Sequence, residues 1–283
     1  MSEFKCTNED LNYFNIYGDF QGCFAVPYDT DEEMIKRIMA AMKSYTMGYK
    51  KIDYVYNNYA QHWKFDDEKR SEGFIKAHKI LVPHLKVMDK LDDSLNNLEE
   101  SLNLGRFAVI AGITRLRNTF RSIHSLIIKG YHFEAISLVR LLLEQTAWFY
   151  NIYDYFDGSF FDIQPHKSIK DLKKIIPDVG KLYGELSKYT HVISTKTFEF
   201  IELDKESRNG NSINHIIHLS NDKFRYIAMR LYFNTILVLF NVVQIVFIEY
   251  KLDFEFPIEQ NKVRKYLEDI GLLLEKNNSI KEY

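Results

Sequence analysis

The chain is predicted to be all-α, a multi-helix bundle carrying one small β-hairpin. Three observations predict it. Glycine and proline are scarce among the 283 residues, at 12 and 5, which favours long helices over tight turns. Apolar residues recur at three- and four-residue spacing through most of the chain. Residues 132 to 153, HFEAISLVRLLLEQTAWFYNIY, are apolar on almost every side, as the central post of a bundle must be.

Residues 1 to 29 are aromatic and irregular, and are expected to form an extension packed on the body. Thr30 with Glu33 has the spacing of a capping box and opens a helix to about residue 62. Met34, Ile38, Met39, Met42, Tyr45, Tyr49 and Ile52 recur along it as an expected core stripe. The charged run DDEKR, 66 to 70, leads into a helix to about residue 82, and Pro83 starts or kinks the next. Residues 84 to 103 alternate leucines with acids and amides, giving an amphipathic helix with one wet face. From Arg106 to Lys129 the pattern is again helical, and Gly130 supplies a left-handed stop.

After the central helix comes a loop, then a short helix capped by Ser168 and Asp171. Pro177 suits the first position of the following helix, which runs to His191. Partial alternation in TFEFIEL and SINHIIHL, with Asn209-Gly210 between them, predicts a β-hairpin near 197 to 219. Asn221 or Asp222 caps a long apolar helix to about residue 250, a second central post. Pro257 opens a final amphipathic helix to about residue 275. The helical bundle domain is therefore read as 30 to 276, and 277 to 283 as a polar tail.

A net charge of −2 makes any nucleic-acid site a local basic patch rather than a property of the whole molecule. Cys6 and Cys23 have neither metal-knuckle nor CxxC spacing, and the N-terminus lacks the order of a signal peptide, so a cytoplasmic protein is expected. The longest apolar run, 236 to 248, is too short to span a bilayer, and no membrane partner is expected. There is no Gly-rich phosphate loop, no HExxH and no GxSxG. His215 and His218 lack carboxylate company, so neither a metal nor any other cofactor is expected.

Two local patterns carry chemistry. Arg140 and Glu144 lie four apart in the central helix, hence on one face, and must be paired or line a polar pocket. Arg106, Arg117, Arg121 and His124 fall within about one 60° sector of their helix, a basic stripe suited to an anion or RNA. Ile110, Ile113 and Ile128 share that sector, so stems packed on a neighbouring helix explain it equally well. His191 closes ELSKYTH at a helix C-terminus, where the dipole favours a protonated imidazole.

SLVRLLLE, with Arg140 and Glu144, followed by LSKYTH, ending in His191, resembles the HEPN superfamily of nucleotide-binding helical bundles. More narrowly it is similar to a bacterial branch with SLxRxLLE followed by LSxxxH, over roughly residues 105 to 250. The resemblance implies a bundle that dimerises, and a metal-independent ribonuclease of a toxin–antitoxin or phage-defence system, with an antitoxin or defence-system partner. Such enzymes use an Arg-x(4–6)-His motif: histidine shuttles the 2′-hydroxyl proton and arginine holds the charged phosphorane. Here Leu186-Ser187 stands where Arg-Asn is usual. Either Arg140 supplies the guanidinium from the neighbouring helix, with Glu144 orienting it, or the site is no longer a nuclease. Arg117 and His124 satisfy Arg-x6-His literally and are the rival pair. A non-catalytic sensor or partner-binding bundle is the alternative from another class, and a small-nucleotide pocket between the two central helices is a third.

Overall fold

The helices are ordered by how little polar surface they can leave in water. In the computed structural model, which describes residues 14–19, 22–27, 30–48, 51–62, 72–98, 102–190, 201–204, 215–218 and 222–279, they form a multi-helix bundle. The chain divides into two units, Met1–Arg70 and Ser71–Tyr283.

In the first unit, β1 (Phe14–Asp19) pairs antiparallel with β2 (Gly22–Pro27), where irregular chain is expected. Helix α1 (Glu32–Thr46) is capped by Asp31, whose carboxylate accepts from the Met34 N–H at 2.8 Å, one residue beyond the expected cap. The single helix expected to reach residue 62 breaks near Gly48, whose φ of 70° is left-handed, and resumes as α2 (Ile52–Asn58). The stripe of Met34, Tyr45 and Ile52 is exposed, and Tyr49 lies outside the described residues. The buried line of α1 is instead Ile35, Ala40 and Ser44, and Ala40 meets Val55 and Ala60. Small Ala40 lets α1 and α2 approach, and Ile38, Met39 and Met42 are half-buried.

In the second unit α5 (His132–Ile152) is the post, packed on α4 (Leu104–Lys129), α6 (Pro165–Ile175), α7 (Val179–Thr190) and α8 (Asp222–Val246). Helix α3 (Glu72–Asn96) lies on α4 and α8, and α9 (Phe256–Ser279) on α8. Pro83 opens no new helix: it sits inside α3. An interior proline costs about 3 kcal/mol. Burial of Leu81, Leu85, Met88, Leu91 and Leu95 along that helix is large enough to offset it. On the face expected to be wet, Asp92 is 3% exposed. Pro165, not Ser168, begins α6, and Ser168 is buried within it; α7 starts at Val179 after a turn at Pro177-Asp178. Gly130 ends α4 with φ 86°, as the sequence requires.

Two glycines set the α4–α5 spacing. A Cβ on Gly112 would stand 2.4 Å from the Phe149 ring, and one on Gly105 would stand 2.0 Å from the Ile152 carbonyl oxygen. The second obstacle is backbone and cannot rotate away. Gly105→Ala is therefore expected to cost about 1–3 kcal/mol, read as a lower thermal midpoint; an unchanged midpoint would contradict this packing.

Helix α8 is long and apolar enough by length and composition to cross a membrane, although the isolated run 236 to 248 is not. Two-thirds of its most apolar window is buried by its neighbours in the bundle. Backbone pairing joins β3 (Ile201–Asp204) antiparallel to β4 (His215–His218), with Ile201 opposite His218. The expected Asn209-Gly210 turn lies outside the described residues.

Candidate functional site

Arg140 and Glu144 stand one turn apart on α5, as their spacing requires, and α7 packs against the face that carries them. The Arg140 Nε–H donates to Glu144 Oε1 at 3.0 Å. Its Nη1 donates to Thr190 Oγ1 at 2.8 Å and its Nη2 to the Tyr183 hydroxyl at 2.9 Å. Tyr183 in turn donates to Glu144 Oε1 at 3.1 Å, closing a ring of hydrogen bonds between the two helices. Behind it, Ser187 Oγ donates to the Tyr183 carbonyl and Thr190 Oγ1 to the Ser187 carbonyl. Helical spacing on α7 places Tyr183, Ser187 and Thr190 on one face, so all three meet α5 together.

This cluster is neither sealed nor fully wet. The Arg140 side chain keeps 25% of its surface and that of Glu144 17%. Burial alone would lower the Arg140 pKa, but Tyr183 and Glu144 outweigh it and the net shift is upward, so the guanidinium stays charged. Three of its five N–H donors are engaged, leaving one on each terminal nitrogen for an oxyanion. Thr190 is the residue immediately before His191 in the chain; His191 itself lies outside the described residues.

The stripe on α4 divides. Arg117 Nε donates to Asp89 at 2.9 Å and its Nη1 lies 3.8 Å from Asp92, while Arg121 reaches the same Asp89 oxygen at 3.5 Å. Both arginines thus lie along α3. Arg106 turns elsewhere, donating to the Val246 carbonyl at 3.0 Å. His124 is buried, 4% exposed, and does not face solvent with them. Its Nε2 lies 3.1 Å from the Tyr232 hydroxyl, which lies equally 3.1 Å from His84 Nδ1. One phenol therefore serves two imidazoles, donating to one and accepting from the other. The far nitrogens, His84 Nε2 and His124 Nδ1, are buried and have no hydrogen-bond partner among the described residues. Desolvation lowers the His84 pKa to about 3; it lowers that of His124 too, reinforced by the neighbouring His84, and raises that of Tyr232.

Sequence reasoning therefore reaches Arg140 and Glu144 but not Tyr183, Asp89, His84 or Tyr232. Only for Thr190 is there a signal, since it lies within LSKYTH beside His191. Among the described residues no cluster of three or more His, Cys, Asp or Glu is placed to hold a metal ion. The geometry defines a helical-bundle protein with a half-open, hydrogen-bonded site between α5 and α7, built on one arginine–glutamate pair. No protein-family model, curated protein or solved structure matches the chain.

Proposed function

We propose that this protein is an HEPN-like bundle with a β-hairpin near 197 to 219, acting as an RNA-directed effector in bacterial defence or a toxin–antitoxin pair. It cleaves RNA without metal, by transesterification. His191 moves the 2′-hydroxyl proton, Arg140 stabilises the phosphorane, and Glu144 orients Arg140. The observation that carries the reading is the Arg140 guanidinium held by Glu144, Tyr183 and Thr190, still charged and a quarter exposed, with Thr190 next to His191 in sequence. Orientation by three fixed partners is what electrostatic stabilisation of a transition state needs, because nothing reorganises when charge develops. RNA contacts assigned by pattern to Arg117, Arg121 and His124 fall on residues that already have internal partners. The protein works as a cytoplasmic homodimer, with an antitoxin or defence-system partner.

The test is incubation of purified protein with labelled RNA in EDTA, followed by analysis of the new ends. Transesterification gives 2′,3′-cyclic phosphates, and His191→Ala, folded by thermal melt, is expected to abolish them. Cleavage that survives in His191→Ala, or that vanishes in EDTA, overturns the mechanism.

A second reading rests on the same hydrogen bonds. A guanidinium with three protein partners also serves as a clamp between α5 and α7, in a non-catalytic sensor or partner-binding bundle. In that case Arg140→Ala unfolds the protein rather than merely inactivating it.

A further inference from the structure

The chain as a whole carries a charge of −2, yet residues 165 to 190 hold six lysines against three acids. In the fold all six lysines are exposed. Ser168, Ile169 and Leu172 bury one face of α6, leaving Lys170, Lys173 and Lys174 exposed on the other. The turn at Pro177-Asp178 then brings α7 alongside. The methylene stem of Lys173 covers Gly180, where an added Cβ would meet its Cδ and Cε at 3.0 Å. From there an open groove of about 570 Å³ continues along α7, lined by Gly180, Gly184, Lys181 and Lys188, with Arg230 of α8 on its far side.

Several features of this groove suit a chain of phosphates, although Glu185 also lines it. Gly184 exposes bare backbone on its floor, where an added Cβ would meet nothing within 4 Å. Glu185 holds Arg230 at 2.5 Å, fixing that guanidinium at the rim. The acids paired with Lys174 and Lys181, Asp171 and Asp178, are three residues away on the surface and bind them by exposed contacts that contribute little. Phosphates displace such contacts readily, with release of counterions. Lys181 and Lys188 stand roughly 150–170° around α7 from the face that carries Tyr183 and Thr190, so the groove lies on the side of α7 turned away from the Arg140 cluster.

We infer that the basic strip along α6 and α7, ending at Arg230, is the binding surface for the phosphate backbone of single-stranded RNA. The choice of RNA among polyanions rests on the nuclease reading; the location of the strip does not. The strip also supplies what the α4 stripe lacks: cations exposed to solvent.

The experiment is fluorescence anisotropy with a labelled single-stranded oligoribonucleotide, titrated at several salt concentrations. The wild type is compared with Lys173→Glu/Lys181→Glu/Lys188→Glu and with a control reversal on α9, Lys262→Glu/Lys265→Glu, all verified by thermal melt. The triple variant is expected to bind at least about 30-fold more weakly, with a salt slope smaller by about 2; the control is expected to match the wild type. Equal binding and equal slope in the triple variant would overturn the inference. So would wild-type binding to phosphatidylserine vesicles with no binding to RNA, or no RNA binding at all. RNA bound through the strip but never cleaved keeps this inference and removes the nuclease reading. Cleavage with unaltered binding in the triple variant does the reverse.

Discussion

Acidification from about pH 7 to about pH 4.5 is expected to destabilise the Ser71–Tyr283 unit by about 2–3 kcal/mol through His84, with His124 acting in the same direction. Both imidazoles are held neutral in the fold, with the His84 pKa at about 3 and that of His124 well below its ordinary value. In the unfolded chain each protonates near pH 6.5. Below that point the unfolded state binds more protons, so stability is complete above it and falls as pH drops toward the folded pKa values. His84 contributes about 1.4 kcal/mol per pH unit over that window, and His124 adds in the same direction. Against a typical total of about 5–15 kcal/mol this is a large fraction of the stability. The measurement is the thermal midpoint against pH for wild type and His84→Phe/His124→Leu. The double variant is expected to be less stable at neutral pH but much flatter below pH 6.5; an equally steep acid limb in both would contradict the assignment. Tyr232→Phe removes the hydroxyl that both rings share and is expected to cost about 1–3 kcal/mol at neutral pH.

Arg140→Ala is expected to lower RNA cleavage by about a hundred- to a thousandfold, the usual loss when one fixed donor to a developing oxyanion is removed. Arg140→Lys should recover little of it. A lysine offers a single ammonium where the site requires a planar fork that reaches Glu144, Thr190 and Tyr183 at once. Stability should fall by only about 1–2 kcal/mol, since Glu144 retains the Tyr183 hydroxyl at 3.1 Å. Tyr183→Phe separates the two contributions. It keeps the guanidinium but loosens its orientation, so a smaller cleavage loss of about tenfold is expected on the same readout.

How far the sequence carries depends on the range of each interaction. Arg140 and Glu144 are neighbours on one helix, and helical geometry alone pairs them. Tyr183 and Thr190 come from a helix more than 40 residues on, and which of its faces meets α5 is decided by burial of Leu186 and Tyr189. No local pattern encodes that docking. The 60° sector on α4 is sound as geometry, and its isoleucines determine which way it faces: Ile110, Ile113 and Ile128 are all buried, so the sector turns inward. The arginines meet Asp89 on α3, and His124 enters the core beside His84 and Tyr232. Periodicity gives the relative positions of residues on a helix and leaves open whether their common face meets water.

The same limit explains the breaks. The lone Gly48 divides a helix that periodicity would continue, whereas Pro83 fails to divide one because the apolar row on both sides of it packs as a single surface. A proline's local cost of about 3 kcal/mol is modest beside the burial of five large side chains. The first tyrosine of the α1 stripe, Tyr45, is 89% exposed for the opposite reason: small Ala40 and Ala60 leave no room between α1 and the chain beside it.

The most direct measurement is single-turnover cleavage of labelled RNA in EDTA by wild type and Arg140→Ala, with a thermal melt of each. The account predicts cleavage by the wild type, a loss of about a hundredfold or more in the variant, and two cooperative melts a few degrees apart. Equal cleavage by the two proteins, or a variant with no cooperative melt, would show that the ring of hydrogen bonds between α5 and α7 holds the bundle together and does no chemistry.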